Sequence, residues 1–171
     1  DSLLPQVSQA ECWVVDNASA DFQGHKLQQR YPAVHWMINS VNRGFAAANN
    51  QALSQTQGKW VWFLNPDTEI HAGSLASWLQ ELERMPSEAA VVGTRLVYPD
   101  GRLQLSWGQG PNLWTEAFQK WWWNRLEAGP SGSWGQRRLL RVASQPHTVD
   151  WVLGASFFVR RAAIQQVGGM D

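Results

Sequence analysis

The sequence predicts an α/β fold in which a mostly parallel sheet is covered by helices on both faces. Three observations predict it. Short apolar runs alternate with helical segments, the pattern of strands joined by helical crossovers. Each apolar run stops at a cluster of Asn, Asp, Gly or Pro, as strands do where they leave a sheet. The length, 171 residues, suits one domain with a sizeable core and is too short for two full ones.

Taken in order, residues 2–9 place Leu3, Leu4 and Val7 on one face and read as the end of a helix. The run from Cys12 to Val15 predicts a strand near 12–16 that ends in Asp16-Asn17-Ala18-Ser19. A helical segment at 25–30 stops before Pro32, and a strand at 34–38 runs into Asn39, Ser40 and Asn42. Alanine has the best intrinsic helix propensity, so Phe45-Ala46-Ala47-Ala48 with Ala52 and Leu53 predicts a helix over 44–55. Trp60-Val61-Trp62-Phe63-Leu64 is an apolar strand cut off by Asn65-Pro66-Asp67. An amphipathic helix at 74–85 and a strand at 89–94 follow.

Composition narrows the function. Apolar residues make up 44% and charged residues 16%, with a formal net charge of zero, so bulk charge gives no reason to expect a nucleic-acid partner. The lone cysteine, Cys12, excludes an internal disulfide and a multi-cysteine zinc site, and its apolar setting predicts a buried, inert thiol. No apolar stretch reaches the roughly 20 residues of a membrane span. The opening Asp-Ser-Leu-Leu has no secretory signal, which points to the cytoplasm, and the missing methionine puts the natural start upstream. Tryptophan is abundant, at 12 residues. Trp13, Trp60 and Trp62 read as core or strand filling. Trp121, Trp122 and Trp123 cannot all point inward from one helix or strand, so at least one meets solvent, a partner or a lipid interface.

In open parallel sheets, ligands gather beyond the carboxyl ends of the strands. Asp16-Asn17, Asn42-Arg43-Gly44 and Asn65-Pro66-Asp67 each follow an apolar run directly, so parallel strands would bring all three to one edge. Each alone is weak, because Asx residues in loops are usually turn formers. Their order and spacing together predict a site. Asp67 lies too far before the helix at Ser74 to be its N-cap, which favours a binding role for its carboxylate. For Asp16 the ordinary alternative is solvation of a strand end. For Gly44 it is a common helix-start glycine, which stands beside a role for the free N–H groups of the helix it opens.

These segments carry a family resemblance. Val14-Val15-Asp16-Asn17-Ala18-Ser19-Ala20-Asp21 resembles the first nucleotide motif of family 2 glycosyltransferases, and Asn42-Arg43-Gly44-Phe45-Ala46-Ala47-Ala48-Asn49 resembles their second loop-helix motif. Phe63-Leu64-Asn65-Pro66-Asp67-Thr68 resembles the Asp-X-Asp metal motif as it stands in the rhamnosyltransferase-like branch. Pro99-Asp100-Gly101 with Gln104 and Ser106, the run from Val149 to Arg161, and Val167-Gly168-Gly169-Met170-Asp171 continue the pattern. The resemblance implies a GT-A fold, a Rossmann-like mostly parallel sheet. It implies inverting transfer of a sugar, with rhamnose one such sugar, from a UDP- or dTDP-type donor to a glycan or lipid-linked acceptor in cell-surface polysaccharide synthesis. A divalent ion, Mg or Mn, held by Asp67 would neutralise charge on the departing diphosphate. Asn65 would face the ribose, and Asp16 would accept the imide N–H of uracil or thymine. Asn17, Asn42 and Gly44 would line the same pocket. Trp151, Gly154, Ala155 and Asp171 fall on the acceptor side.

The resemblance also implies a Val-rich strand ahead of residue 1 and a Glu-Asp motif, with the presumed general base, beyond Asp171. The expectation is therefore an internal part of a longer chain: one GT-A domain lacking its first strand and C-terminal part, with residues 1–106 binding the nucleotide sugar and 107–171 on the acceptor side. No residue here is assigned as the base. Residues 117–149 carry Lys120, Arg125, Arg137, Arg138 and Arg141 against Glu127 alone, a local charge of +4. That segment, with Pro130-Ser131-Gly132-Ser133 read as a flexible loop, suits either peripheral contact with the inner face of an anionic membrane or an ordinary solvated loop. A dinucleotide-binding oxidoreductase is disfavoured, since no Gly-x-Gly-x-x-Gly follows the first strand. A non-catalytic nucleotide-sugar- or carbohydrate-binding module is the remaining alternative.

Overall fold

A computed structural model describes residues 2–6, 10–21, 24–110, 121 and 125–171. They form a mixed α/β structure that divides into two compact units, 1–91 with 159–171, and 92–158.

In the first unit β1 (Trp13–Asp16) and β2 (His35–Ile38) pair in parallel, Trp13 opposite His35 and Asp16 opposite Ile38. Parallel strands need a long crossover, and α1 (Gly24–Arg30) lies within it. Backbone bonds from His35 to Cys12 and from Asn39 to Asp16, both 2.9 Å, carry the ladder past each end of the pair. Trp13 stacks on His35 at 4.4 Å, a cross-strand contact along this pair. Cys12 is half-buried, and burial pushes its thiol up from the ordinary value, in keeping with an unreactive side chain. Helix α2 (Phe45–Leu53) packs against β1 and buries Ala48 and Leu53.

Strand β3 (Trp60–Leu64) alternates, with Val61 and Phe63 buried. Trp60 lies under the Arg160 guanidinium at 4.3 Å, and Trp62 meets Trp78 edge-on at 5.3 Å, so these indoles fill half-buried strand surface. Helix α3 (Ser74–Arg84) begins at Gly73, whose φ of 79° is left-handed, and buries Leu75 and Leu82 two turns apart. Strand β9 (Ser156–Arg160) enters the order β3–β9–β4 next to β4 (Val91–Gly93). Its first-unit end is fixed by backbone bonds from Arg160 to Ala90 (2.8 Å) and from Arg161 to Lys59 (3.0 Å). The two side chains extend this: Arg160 reaches the Ala89 and Pro86 carbonyls, and Arg161 reaches the Gly58 carbonyl and Thr56 Oγ1. Helix α5 (Arg161–Val167) follows.

The second unit is made of short pieces. β5 (Leu96–Val97) and β6 (Leu103–Gln104) form an antiparallel hairpin around Pro99-Asp100-Gly101, with Gly101 at φ 81°. Asp100 accepts the Arg102 N–H at 3.1 Å and Arg102 Nε at 2.7 Å, and these contacts hold its carboxyl below the usual range. β7 (Trp107–Gly108) and β8 (Trp151–Val152) form a second antiparallel pair. Buried Thr94, Ser106 and Ser156 satisfy one another, Thr94 Oγ1 donating to Ser156 Oγ at 2.7 Å and Ser106 Oγ to the Thr94 carbonyl at 3.0 Å.

Helix α4 (Trp134–Val142) closes this unit's core of Leu103, Leu126 and Leu139. Ser133 caps it, accepting the Gln136 N–H, so Pro130-Ser131-Gly132-Ser133 is a capped helix entry where a flexible loop was expected. Gln136 is 1% exposed, and its side-chain amide behaves like an extra strand. It accepts from Leu103 N–H at 2.7 Å and donates to the carbonyls of Leu103 at 3.4 Å and Glu127 at 3.1 Å.

Three expectations differ in detail from the described residues. Where a single, mostly parallel sheet was expected, the strands among the described residues fall into one three-stranded and three two-stranded sheets. The β5–β6 connection spans only residues 98–102, too short for a parallel crossover. Of the helix end expected at 2–9, the described residues show one 3-10 turn, Leu4–Gln6, and residues 7–9 lie outside them. The strand expected at 89–94 is Val91–Gly93. Trp121 is 56% exposed, and Trp122 and Trp123 lie outside the described residues.

Replacing Gln136 by Leu fills the space but leaves the Leu103 N–H buried and unpaired. We expect a loss of about 1–3 kcal/mol in urea unfolding, against a change near zero for Gln80→Leu on the exposed face of α3.

Candidate functional site

Asp16 ends β1 and is 8% exposed. Its backbone carbonyl belongs to the ladder through Asn39. Among the described residues its carboxylate receives only the Ser19 N–H, at 3.3 and 3.4 Å to its two oxygens, a long and shared contact. A buried carboxylate offers about four acceptor positions, so most of the capacity of this one is unused by the described residues. The turn that returns Ser19 passes through Ala18 at φ 66°, a left-handed conformation that side chains other than glycine seldom adopt.

Asn17 is bonded to its limit. Its Oδ1 accepts from Arg43 N–H at 3.0 Å and Asn39 Nδ2 at 3.2 Å, and its Nδ2 donates to Asn42 Oδ1 at 2.9 Å and the Gly44 carbonyl at 3.2 Å. An amide has two donor hydrogens and two lone-pair directions, and all four are taken. Asn17 therefore joins the loop after β1 to the loop before α2. Asn39 continues the network into α2 through a reciprocal pair with Gln51, at 2.8 and 3.1 Å. Asn39 and Gln51 were not among the expected site residues. Their signal was one polar position in the Asn49-Asn50-Gln51 run of an alanine-rich helix and one more Asn in a polar loop.

Asn42 Oδ1 also accepts the Gly44 N–H at 2.8 Å. Gly44 is the N-cap of α2 at φ 83°, ψ 167°, a region essentially restricted to glycine. Its own N–H is thus taken, and the open donors of this helix end are those that follow. Ile38, Val41 and Phe45 around this loop are 56%, 60% and 58% exposed.

The structure thus brings Asp16, Asn17, Asn42 and Gly44 together. Asn65 and Asp67 stand in their own turn after β3, where the Thr68 N–H and hydroxyl both donate to the Asn65 carbonyl. Among the described residues no hydrogen bond links that turn to the Asn17 network. Asp67 is exposed, and the N-cap of α3 is Gly73. Among the described residues no group of three or more His, Cys, Asp or Glu side chains converges.

The residues expected on the acceptor side are divided between the units. In the second, Trp151 lies across Gly108, where an added Cβ would meet the indole at 2.5 Å, and donates Nε1–H to the Gln109 carbonyl at 3.2 Å. Gly154 is exposed and Ala155 half-buried on the approach to β9. In the first, Asp171 is exposed, and the segment before it is gripped by Asn50, which donates to the Met170 carbonyl at 2.8 Å and accepts its N–H at 3.0 Å. Gly169, at φ 110°, permits this, since a Cβ there would lie 2.9 Å from Asn50 Oδ1.

Among the described residues no helix is long and apolar enough to cross a membrane. The model of the family described as Glycosyl transferase family 2 matches residues 1–143. The uncharacterized protein y4gI of Sinorhizobium fredii (strain NBRC 101917 / NGR234) is 39% identical over 62 residues, 35% of this chain. The chain spans only 6% of that protein's length. No solved structure matches it.

A Cβ at Gly44 would meet nothing within 4 Å, so Gly44→Ala tests the backbone alone. We expect it to cost about 1–3 kcal/mol in chemical unfolding through strain at its φ and ψ. Gly154→Ala, which also has open space and no positive φ, is expected to be close to neutral.

Proposed function

Because the chain belongs to glycosyl transferase family 2, we propose that it carries the donor side of an inverting, metal-dependent glycosyltransferase that takes a UDP- or dTDP-type sugar. Glycosyl transfer itself follows from the family. The rest is the reading that the site supports best, and the Asp16 carboxylate carries it. A carboxylate that is buried, ends a parallel strand and has spare acceptor capacity needs an N–H donor. The imide N3–H of uracil or thymine supplies one at the ring position where cytosine has only a lone pair.

In this reading the residues divide the work. Asp16 accepts the base, and Asn17 holds the two loops in place, because its own amide has nothing left to offer a ligand. Asn42 keeps its Nδ2 for the nucleotide, and Gly44 lets the chain turn into α2, whose first free N–H groups face phosphate or polar sugar groups. Asn65 serves the ribose. Asp67 would hold Mg or Mn, which when bound supplies positive charge to the diphosphate. Trp151, Gly154, Ala155 and Asp171 serve the acceptor, a glycan or lipid-linked sugar of a cell-surface polysaccharide; rhamnose is the donor sugar that the form of the Asn65-Pro66-Asp67 motif favours. Residues 1–106 are then the nucleotide-sugar part and 107–171 the acceptor part of one domain, working in the cytoplasm.

A panel of nucleoside-diphosphate sugars, screened with the full-length protein for thermal protection and then for product, tests this. We expect a uracil or thymine donor to protect and to be turned over in the presence of manganese, and Asp67→Ala to lower turnover by about a hundredfold or more. Full activity in excess chelator or in that variant would remove Asp67 from the mechanism. Protection without any product would identify a binding module.

A further inference from the structure

We propose that the outer face of α4 is a docking surface for an anionic lipid bilayer. The helix is two-sided. Gln136 and Leu139 are 1% and 0% exposed, and Leu140 packs on the same core, which fixes the helix rotation. With a helical repeat of 3.6 residues, Trp134, Arg137, Arg138, Arg141 and Val142 then share the opposite side. Trp134 is 58% and Val142 41% exposed, and the three arginines are exposed as well.

Charge on this face is of one sign. The helix sequence WGQRRLLRV holds no acidic residue, and among the described residues none of its three guanidinium groups pairs with a carboxylate. Arg137 caps the loop before the helix through the Gly132 carbonyl. Arg138 lies over the Trp134 ring at 5.6 Å. The same pairing recurs in this unit where Arg125 lies over Trp121, itself 56% exposed, at 5.7 Å. Each pair sets an indole beside a cation, the combination that suits a headgroup region, where the ring sits at the boundary and the guanidinium meets phosphate.

Bilayer is favoured over nucleic acid by two facts. The chain as a whole has zero formal net charge, so it has no general attraction for polyanions. The face also carries exposed apolar surface at Trp134 and Val142, which gains from a hydrocarbon boundary and not from a phosphate backbone. The proposal stands apart from the donor-site reading and holds whether or not the protein transfers sugar.

Co-sedimentation with vesicles tests it. The protein is expected to bind mixed phosphatidylcholine–phosphatidylglycerol vesicles, to bind pure phosphatidylcholine weakly, and to be released by salt. Changing Arg137, Arg138 and Arg141 together to Gln should weaken binding on the order of a hundredfold, at about fivefold per arginine, and Trp134→Ser should weaken it independently. All four positions are exposed, so melting curves should match wild type; should the Gln variant melt early, the triple Arg→Lys variant must still bind. Equal binding to neutral vesicles, binding unchanged in the Gln variant, loss of binding in the Lys variant, or tighter binding to poly-uridine RNA than to anionic vesicles would each overturn the proposal.

Discussion

The four hydrogen bonds of Asn17 are the constraint on which the candidate site depends. A parallel strand pair delivers two loop starts to one edge but does not fix the loops that follow. Here one amide, with every donor and acceptor occupied, ties the loop after β1 to the loop before α2. Each bond alone is worth only about 0.5–1.5 kcal/mol in net stability. Their value lies in geometry, because they share one rigid planar group. Through Asn39 and Gln51 the same network grips α2, so helix and strand are set relative to each other by side chains as well as by packing.

Two backbone features meet this network. Gly44 must turn at a φ and ψ open to glycine alone, and the Asn42 side chain holds its N–H in that turn. Ala18 takes a left-handed conformation so that the Ser19 N–H returns to Asp16. The Ala18 turn brings the chain close around a carboxylate that is nearly out of solvent and, among the described residues, lightly bonded. Such an arrangement stores a demand for a donor group, which is what a binding site supplies to a ligand and an ordinary loop does not.

Much of the first unit was legible because its signals are local. Apolar runs ended by Asx clusters marked β1, β2 and β3 within a residue, and alanine content and apolar spacing marked α2 and α3. Partner choice is not local, so the placing of Ser156–Arg160 between β3 and β4 could not be seen in a run that also suits an edge or a helix. Strands of two residues such as β5 to β8 are too short to show a period. Helix α4 was masked by its Trp, Gly and Arg content, although Ser133 followed three residues later by Gln136 is a capping spacing. At the site, residue types were readable and saturation was not. Asn17 and Asn42 look equivalent in sequence, yet one amide is full and the other keeps two donors.

Base selection by Asp16 is open to direct measurement. Calorimetric titration of the full-length protein with UDP and CDP, in wild type and in Asp16→Asn, measures that directly. Uracil presents an N–H where cytosine presents a lone pair, so wild type is expected to favour UDP strongly and Asp16→Asn, whose amide can donate as well as accept, to lose most of that preference. Equal affinity for the two nucleotides in wild type, or a preference for UDP that survives the substitution, would contradict it.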